Sequence, residues 1–371
     1  MKIDLAKRLR CPECLTEALA PQPFEISGSG RMRSGVLVCE SCAAWYPVTD
    51  QVADLLPRTH ASPATRTSFY ERNRSRLQQA GLEPPAASAP DPAFAPQIHQ
   101  REHFDDLACR QDRFSYEALG RMPFQRASRE LTFAEWAPMI GSGSVVLDIG
   151  CANGLSTFDM ARHDVEVIGL DISPEQIRRA QATAAEMEVE NVSFVIGDAN
   201  SLPVADEAID CVLCYGSLHH VPSPERTVIE MARVLRDGGS YLGVENNATP
   251  LRPLFDALMR LRPIWLEEAG AEAQMSAEDL NHWADGAGLE VDTHAAVFVP
   301  PQLCNLLGYR AAHRLLRLTD WAFGHLPVLR NWGGLIVIAG RRGRPPRTVP
   351  MQGSAGEVTS AAAERLGSSV E

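Results

Sequence analysis

Val145-Val-Leu-Asp-Ile-Gly-Cys-Ala-Asn-Gly154 is the stretch from which the fold of this chain is read. A short aliphatic run ends in an acid, and Gly150 and Gly154 then let the backbone turn tightly and approach a ligand. The Gly-x-Gly-x-x-Gly spacing of a dinucleotide fingerprint is missing. An acid two residues before the first glycine opposes a pyrophosphate and suits a ligand carrying an ammonium or sulfonium.

Working outward, similar runs recur with helical patterns between them. Val165–Asp171 is followed by Ser173-Pro-Glu-Gln176, which reads as a capping box with proline in the first helical position. Val192–Ile196 and Ile209–Cys214 come next. A helix after Ser223–Pro224 carries Val228, Met231, Ala232 and Leu235 on one face, and the Asp237-Gly-Gly239 turn stops it before Tyr241–Glu245. Strands alternating with helices predict an α/β fold built on a doubly wound, mostly parallel sheet. Ser276–Gly288 reads as a further helix, Leu289–Val299 and Gly334–Ala339 as two more strands, and 300–333 as a helical insertion expected to form a substrate lid or floor.

Over residues 110–340 the chain resembles the class I S-adenosylmethionine-dependent methyltransferases. Their glycine motif usually reads D-x-G-x-G-x-G, and here Ala152 stands at the middle glycine. The resemblance implies a Rossmann-like sheet of seven strands. It also implies S-adenosyl-L-methionine as cofactor, bound by Asp148, Gly150, Cys151, Ala152, Asn153 and Gly154 on the first turn. Asp171 and Ile172 would hold the ribose, Asp198 and Ala199 the adenine, and Tyr215 would line the reaction centre. Asp210-Cys-Val-Leu-Cys-Tyr-Gly-Ser-Leu-His-His220 is similar to the fourth-strand motif, and Arg233-Val-Leu-Arg-Asp-Gly-Gly239 to the turn before strand five. Methyl transfer needs alignment and, for a hydroxyl, a base; His219, His220 and Glu245 are the candidates. The segment Asp112–Glu117 is a candidate to close over cofactor or substrate.

Near the N-terminus, Cys11-Pro-Glu-Cys14 and Cys39-Glu-Ser-Cys42 form a paired Cys-x2-Cys array. Each pair can bend two thiolates around one ion, and the two together complete a tetrahedral, closed and therefore structural Zn2+ site. With Gly35–Cys39 and Ala44–Val48, the array resembles the zinc ribbons of methyltransferase-activator subunits. Cys211 and Cys214 lie three apart on a strand, face opposite sides of the sheet and cannot share an ion.

The expected organisation is a zinc-ribbon module over 1–57, then a linker and helical lead-in over 58–109. The linker is 58–97, whose Pro/Ala-rich stretch should stay extended. A methyltransferase domain over 110–340 and a disordered tail over 341–371 complete the chain. The 35 basic and 47 acidic residues give a net charge of −12, and residues 141–247 alone hold 6 basic and 17 acidic ones. Broad nucleic-acid binding needs the opposite balance, so nucleic acid is not an expected partner. No apolar run reaches the ~18 residues of a membrane span, and the leading residues do not read as a secretory signal. The scattered remaining cysteines fit a reducing cytoplasm. A basic amphipathic helix over 302–323 could touch a membrane or an acidic partner, though packing on its own domain is the ordinary role of such a helix. The functional expectation is methyl transfer to an O, N or C nucleophile of a small-molecule acceptor. The alternatives are an RNA methyltransferase gripping nucleic acid through the ribbon and a non-catalytic cofactor-binding partner of another methyltransferase.

Overall fold

The computed structural model describes residues 1–59, 63–85, 92–110, 116–263 and 275–343. Four strands belong to the N-terminal module: β1 (Leu19–Ile26), β2 (Met32–Cys39), β3 (Trp45–Thr49) and β4 (Val52–Asp54). The α/β domain supplies β5 (Ser144–Ile149), β6 (Val165–Asp171), β7 (Val192–Ile196), β8 (Ile209–Tyr215), β9 (Leu235–Asn246), β10 (Leu289–Ala296) and β11 (Leu335–Arg342). All six residues of β5 are buried, as expected for a parallel strand covered on both faces.

The expected seven strands are present as β7-β6-β5-β8-β9-β11-β10, with β7 through β9 parallel and β11 antiparallel to both of its neighbours. The sheet nevertheless has 11 strands, not seven. The reason lies at the β7 edge. There β4 pairs in parallel, setting Ala53 opposite Val195 and Asp54 opposite Ile196, and the module's antiparallel meander continues the ladder. An otherwise open edge is thereby covered. Leu5, Leu9, Cys11 and Tyr46 share one core with Leu147, Leu170 and Val212, so the first 57 residues are built into the domain rather than tethered to it.

The helices are α1 (Pro63–Arg72), α2 (Arg74–Gln79), α3 (Ala95–Ala108), α4 (Tyr116–Gly120), α5 (Pro123–Trp136), α6 (Leu155–Met160), α7 (Pro174–Glu186), α8 (Pro224–Val234), α9 (Arg252–Leu261), α10 (Ala277–Ala287), α11 (Pro301–Leu307) and α12 (Tyr309–Gly324). Ser173 accepts the Gln176 N–H as read, but the Gln176 amide donates to the Phe104 carbonyl, so the box is half closed. The full box occurs at Ser276 and Asp279. Cys211 and Cys214 are buried in the two separate cores on opposite faces of the sheet.

Two expectations about the connecting segments change. Residues 58–97 are not an extended connector throughout: α1 and α2 bury Phe69, Tyr70 and Leu77 against Val36 and Trp45 of the module. Aromatic residues spaced along a polar stretch supply that packing. Residues 86–91 of the Pro/Ala-rich part lie outside the described residues. At the other end, β11 carries Arg341 and Arg342, so the ordered chain passes the point where the tail was expected; Arg342 is buried beside Glu207. The remainder of that tail, 344–371, is outside the described residues. The helix expected over 302–323 is broken at Gly308 (φ 75°) into α11 and α12.

Candidate functional site

A cavity of about 270 Å3 opens at the carboxyl edge of the parallel strands. It lies where the strand order reverses between β5 and β8, the switch point at which open α/β sheets bind ligands. Its floor is the turn after β5. Gly150 adopts φ 68°, and any Cβ there would lie 2.4 Å from the Ser217 Cβ. Ala152 sits at φ 46°, in the left-handed region where a motif glycine would be unstrained. Its N–H donates to Asp171 Oδ2 at 2.8 Å, and the Ser173 N–H donates to Asp171 Oδ1 at 2.9 Å. Asp171 thus ties the turn after β5 to the start of α7. Burial pushes its carboxyl up from 3.8 to about 6.

Of the expected cofactor residues, Gly150, Cys151, Ala152, Asn153, Asp171, Ile172, Asp198, Ala199 and Tyr215 line the cavity. Asp198 closes a tight turn by accepting the Asn200 N–H at 2.8 Å. Tyr215 packs its ring on Phe133 and Trp136. Two of the expected residues are not on the cavity wall. Asp148 does not face the cavity: it is fully buried and accepts hydrogen bonds from Ser156 Oγ (2.9 Å) and Thr157 Oγ1 (2.6 Å). Those hydroxyls, at the first turn of α6, both hold Oδ2, while Oδ1 is buried with no hydrogen-bond partner among the described residues; burial raises the carboxyl to about 6. Gly154 is likewise off the cavity. It caps α6 at φ 88°, with Phe158 against the position of a Cβ.

The candidate bases separate in the same way. His220 lines the cavity, edge-on to Phe104 at 5.3 Å. His219 turns the other way. Its Nδ1 is 2.7 Å from Glu245 Oε2, and Glu245 Oε1 accepts the Leu218 N–H at 2.8 Å. Neither His219 nor Glu245 lines the cavity. The carboxylate ending β9 instead fixes the loop after β8, on which His220 stands.

The wall opposite the strand ends is made by residues for which the sequence had offered no motif. Gln100 and Phe104 come from α3, Leu119 and Gly120 from α4, Gln125 and Arg129 from α5. Asp105 holds α3 in place by accepting from Ser173 Oγ at 2.6 Å and from the Glu175 N–H at 3.1 Å, at the N-terminus of α7. Arg129 is buried, and its Nε pairs with Asp159 at 2.7 Å. Its Nη1 has no hydrogen-bond partner among the described residues. No described residue of 300–333 lines the cavity; α11 and α12 pack Cys304, Ala312 and Leu316 against Phe124 and Ala127 of α5. The expected lid is therefore a buttress, and the lead-in helices form the cover. Of the segment Asp112–Glu117, residues 111–115 lie outside the described residues.

The second candidate site is the cluster of Cys11, Cys14, Cys39 and Cys42, whose sulfurs all lie within 4.8 Å of one another. Cys11 and Cys42 are 3.7 Å apart, and Cys14 and Cys39 3.5 Å. Four thiolates about 2.3 Å from one ion stand about 3.8 Å apart, so the cluster has the dimensions of a metal cage. The two knuckles repeat one geometry. Leu15 N–H donates to the Cys11 carbonyl and Ala43 N–H to the Cys39 carbonyl. Both donors sit at positive φ, 61° and 57°.

Comparison with known proteins agrees with the geometry. Residues 140–282 match the family model described as "Methyltransferase domain". The 27-O-demethylrifamycin SV methyltransferase of Amycolatopsis mediterranei is 35% identical over 38% of this chain and 58% of its own length. The demethylmenaquinone methyltransferase of Thermobifida fusca is 31% identical over 58% of this chain and 92% of its own. The solved structure of YcgJ from Bacillus subtilis is 22% identical, covers 58% of this chain and 99% of that one, and has a TM-score of 0.43. Several matches span less than two thirds of the relative's own length, as the first does.

Proposed function

The chain belongs to the S-adenosylmethionine-dependent methyltransferase family, and on that premise we propose that it transfers a methyl group to an O, N or C nucleophile of a small-molecule acceptor. The observation that carries the reading is the convergence of Asp171, Asp198, the Gly150–Asn153 turn and the unpaired Nη1 of Arg129 on one cavity. These residues fit S-adenosyl-L-methionine. Each Asp171 oxygen accepts a single backbone N–H, leaving acceptor capacity for ribose hydroxyls. Asp198 takes the adenine amino group. Arg129 is already paired with Asp159 through Nε, and its remaining buried donor, Nη1, would meet the α-carboxylate of the cofactor. When bound, the cofactor contributes an electrophilic methyl group on sulfur. The protein's part is to align the acceptor, exclude water behind Phe104 and Leu119, and take a proton where the nucleophile carries one.

His220, on the cavity wall, is the candidate to take that proton. His219, Glu245 and the Leu218 N–H position it. His220→Asn is expected to lower kcat by about 10²- to 10³-fold toward a hydroxyl acceptor with little change in cofactor affinity. His219→Asn is expected to do less, through loop geometry. If His220→Asn keeps the wild-type kcat, His220 is not the base.

The acceptor class rests on the named acceptors of the relatives, demethylrifamycin SV and demethylmenaquinone, and on the acidic charge of the domain. The Cys11–Cys14–Cys39–Cys42 cluster is proposed to hold one structural Zn2+. Incubation with methyl-labelled cofactor and separated cell extract tests the function: label is expected in the low-mass organic fraction. Label in RNA would overturn the acceptor assignment. Tight cofactor binding without turnover on any fraction would favour a non-catalytic partner.

A further inference from the structure

Three adjoining helices near the C-terminal end of the chain leave apolar side chains in solvent. Of the 14 large hydrophobic residues that are exposed among the described ones, nine fall between Leu254 and Val328. The helices are contiguous: α11 and α12 meet at Gly308, and the Gln302 amide at the start of α11 reaches the carbonyl of Arg262 at the end of α9. Along α12, Arg310, Arg314, Arg317, Leu318 and Trp321 are all exposed and recur at helical spacing, so they form one stripe. The opposite stripe, with Ala312 and Leu316, is the one packed on α5. Leu306 (63% exposed), Leu318 (61%), Trp321 (66%) and Leu261 (82%) are too open to belong to the core.

Charge narrows what covers this surface. Residues 300–333 hold four arginines and a single acid, Asp320, in a chain whose net charge is −12. That acid is turned inward and accepts the Val297 N–H at 2.9 Å. Arg310, Arg314 and Arg317 have no ion-pair partner among the described residues. A folded helix that exposes leucines and a tryptophan beside unneutralised arginines has the composition of an interfacial helix, in which the apolar groups enter the headgroup boundary and the cations meet anionic lipid. Tryptophan favours the same boundary. No helix among the described residues is long and apolar enough to cross a membrane, so the mode is lying on the surface.

We propose that the α9–α11–α12 face docks on an anionic lipid bilayer. The proposal stands on exposure and charge and does not depend on methyl transfer. Because α12 is packed on α5, whose Gln125 and Arg129 line the cavity, docking would place the cavity wall two helices from the lipid.

The test is co-sedimentation of the full chain with vesicles of equimolar phosphatidylcholine and phosphatidylglycerol, against phosphatidylcholine alone. Binding is expected to the anionic vesicles and to weaken as salt is raised. The combined Arg310→Gln, Arg314→Gln and Arg317→Gln variant should bind on the order of 10²-fold more weakly, about fivefold per arginine. Trp321→Ser should weaken binding without altering its salt dependence. All these positions are exposed, and an unchanged thermal melt verifies the fold; should the triple variant not fold, Arg314→Gln alone should show the fivefold loss. Absence of binding to anionic vesicles, or wild-type binding by the arginine variants, overturns the proposal. So does self-association without lipid that the same variants abolish, because it would assign the face to a second copy.

Discussion

Asp171→Ala is expected to weaken S-adenosyl-L-methionine binding by two orders of magnitude or more in calorimetry. A hydrogen bond to a charged group contributes about 1.5–3 kcal/mol, and the cofactor ribose offers two hydroxyls to this one carboxylate. The substitution has a second consequence: the part-buried Ala152 N–H and the buried Ser173 N–H both lose their acceptor, at a cost of about 1–3 kcal/mol for the buried one. Asp198→Ala serves as companion at the neighbouring strand, where the Asn200 N–H loses its acceptor. A loss of affinity in both variants, with Asp198→Ala melting near wild type, separates ligand contact from damage to the turn. Wild-type affinity in both would remove the central assignment. The pH dependence has a definite sign. Burial raises Asp171 from 3.8 to about 6, so as pH falls through about 6 the carboxylate is neutralised in the folded protein and affinity should fall with it. The same upward shift means the unfolded chain ionises first. Native stability contributed by this group is full at low pH and lost as pH rises through about 6. Asp171→Asn should flatten that part of both profiles.

The strand-end acids show how far a sequence can be read. Asp148 and Asp171 lie at the ends of parallel strands and Asp198 two residues past one, yet only Asp171 and Asp198 meet the cavity. Spacing reports that a residue reaches the edge of the sheet. Which way the side chain then turns depends on competitors for its hydrogen bonds. Ser156 and Thr157, eight and nine residues later on α6, both donate to Asp148 Oδ2, and the residue stays off the cavity wall. His219 and His220 divide for the same reason, since Glu245 from the neighbouring strand takes one ring and leaves the other to the cavity.

What was least legible came from long-range packing. Phe104, Gln125 and Arg129 sit in helices that carry no motif, and only their docking over α7 and β5 makes them part of the site. The N-terminal cluster was visible as four cysteines, whereas the incorporation of its module into the sheet was not. Pairing of β4 with β7 rests on two residue pairs between segments about 140 positions apart, and strand propensity has no means of selecting that partner.

That incorporation sets the scale of the last prediction. Cys39→Ser is expected to reduce bound zinc from one ion per chain to none, measured by elemental analysis, and to lower the melting temperature of the whole chain. Zinc held by four cysteines contributes folding free energy on the order of 10 kcal/mol in isolated peptides. If half of that is lost here, the midpoint should fall by about 10–20 °C for a domain of this size. A tethered ribbon would unfold by itself and leave the main transition in place. Here the first knuckle follows directly from Arg10, which is buried against Glu230 at 2.8 Å and donates to the Leu202 carbonyl. The second knuckle ends β2, in the ladder that runs on through β4 to β7. One ion would thus clamp the start of the chain, anchored on α8, to the strands that cover the sheet edge. Loosening it should expose β7 and weaken the turn at Asp198, two residues past its end. The decisive readouts are a single downshifted transition and a measurable loss of cofactor affinity in a variant altered far from the cavity. Two separate transitions, with cofactor affinity intact, would show instead that the module folds on its own and that its pairing with β7 carries no stability.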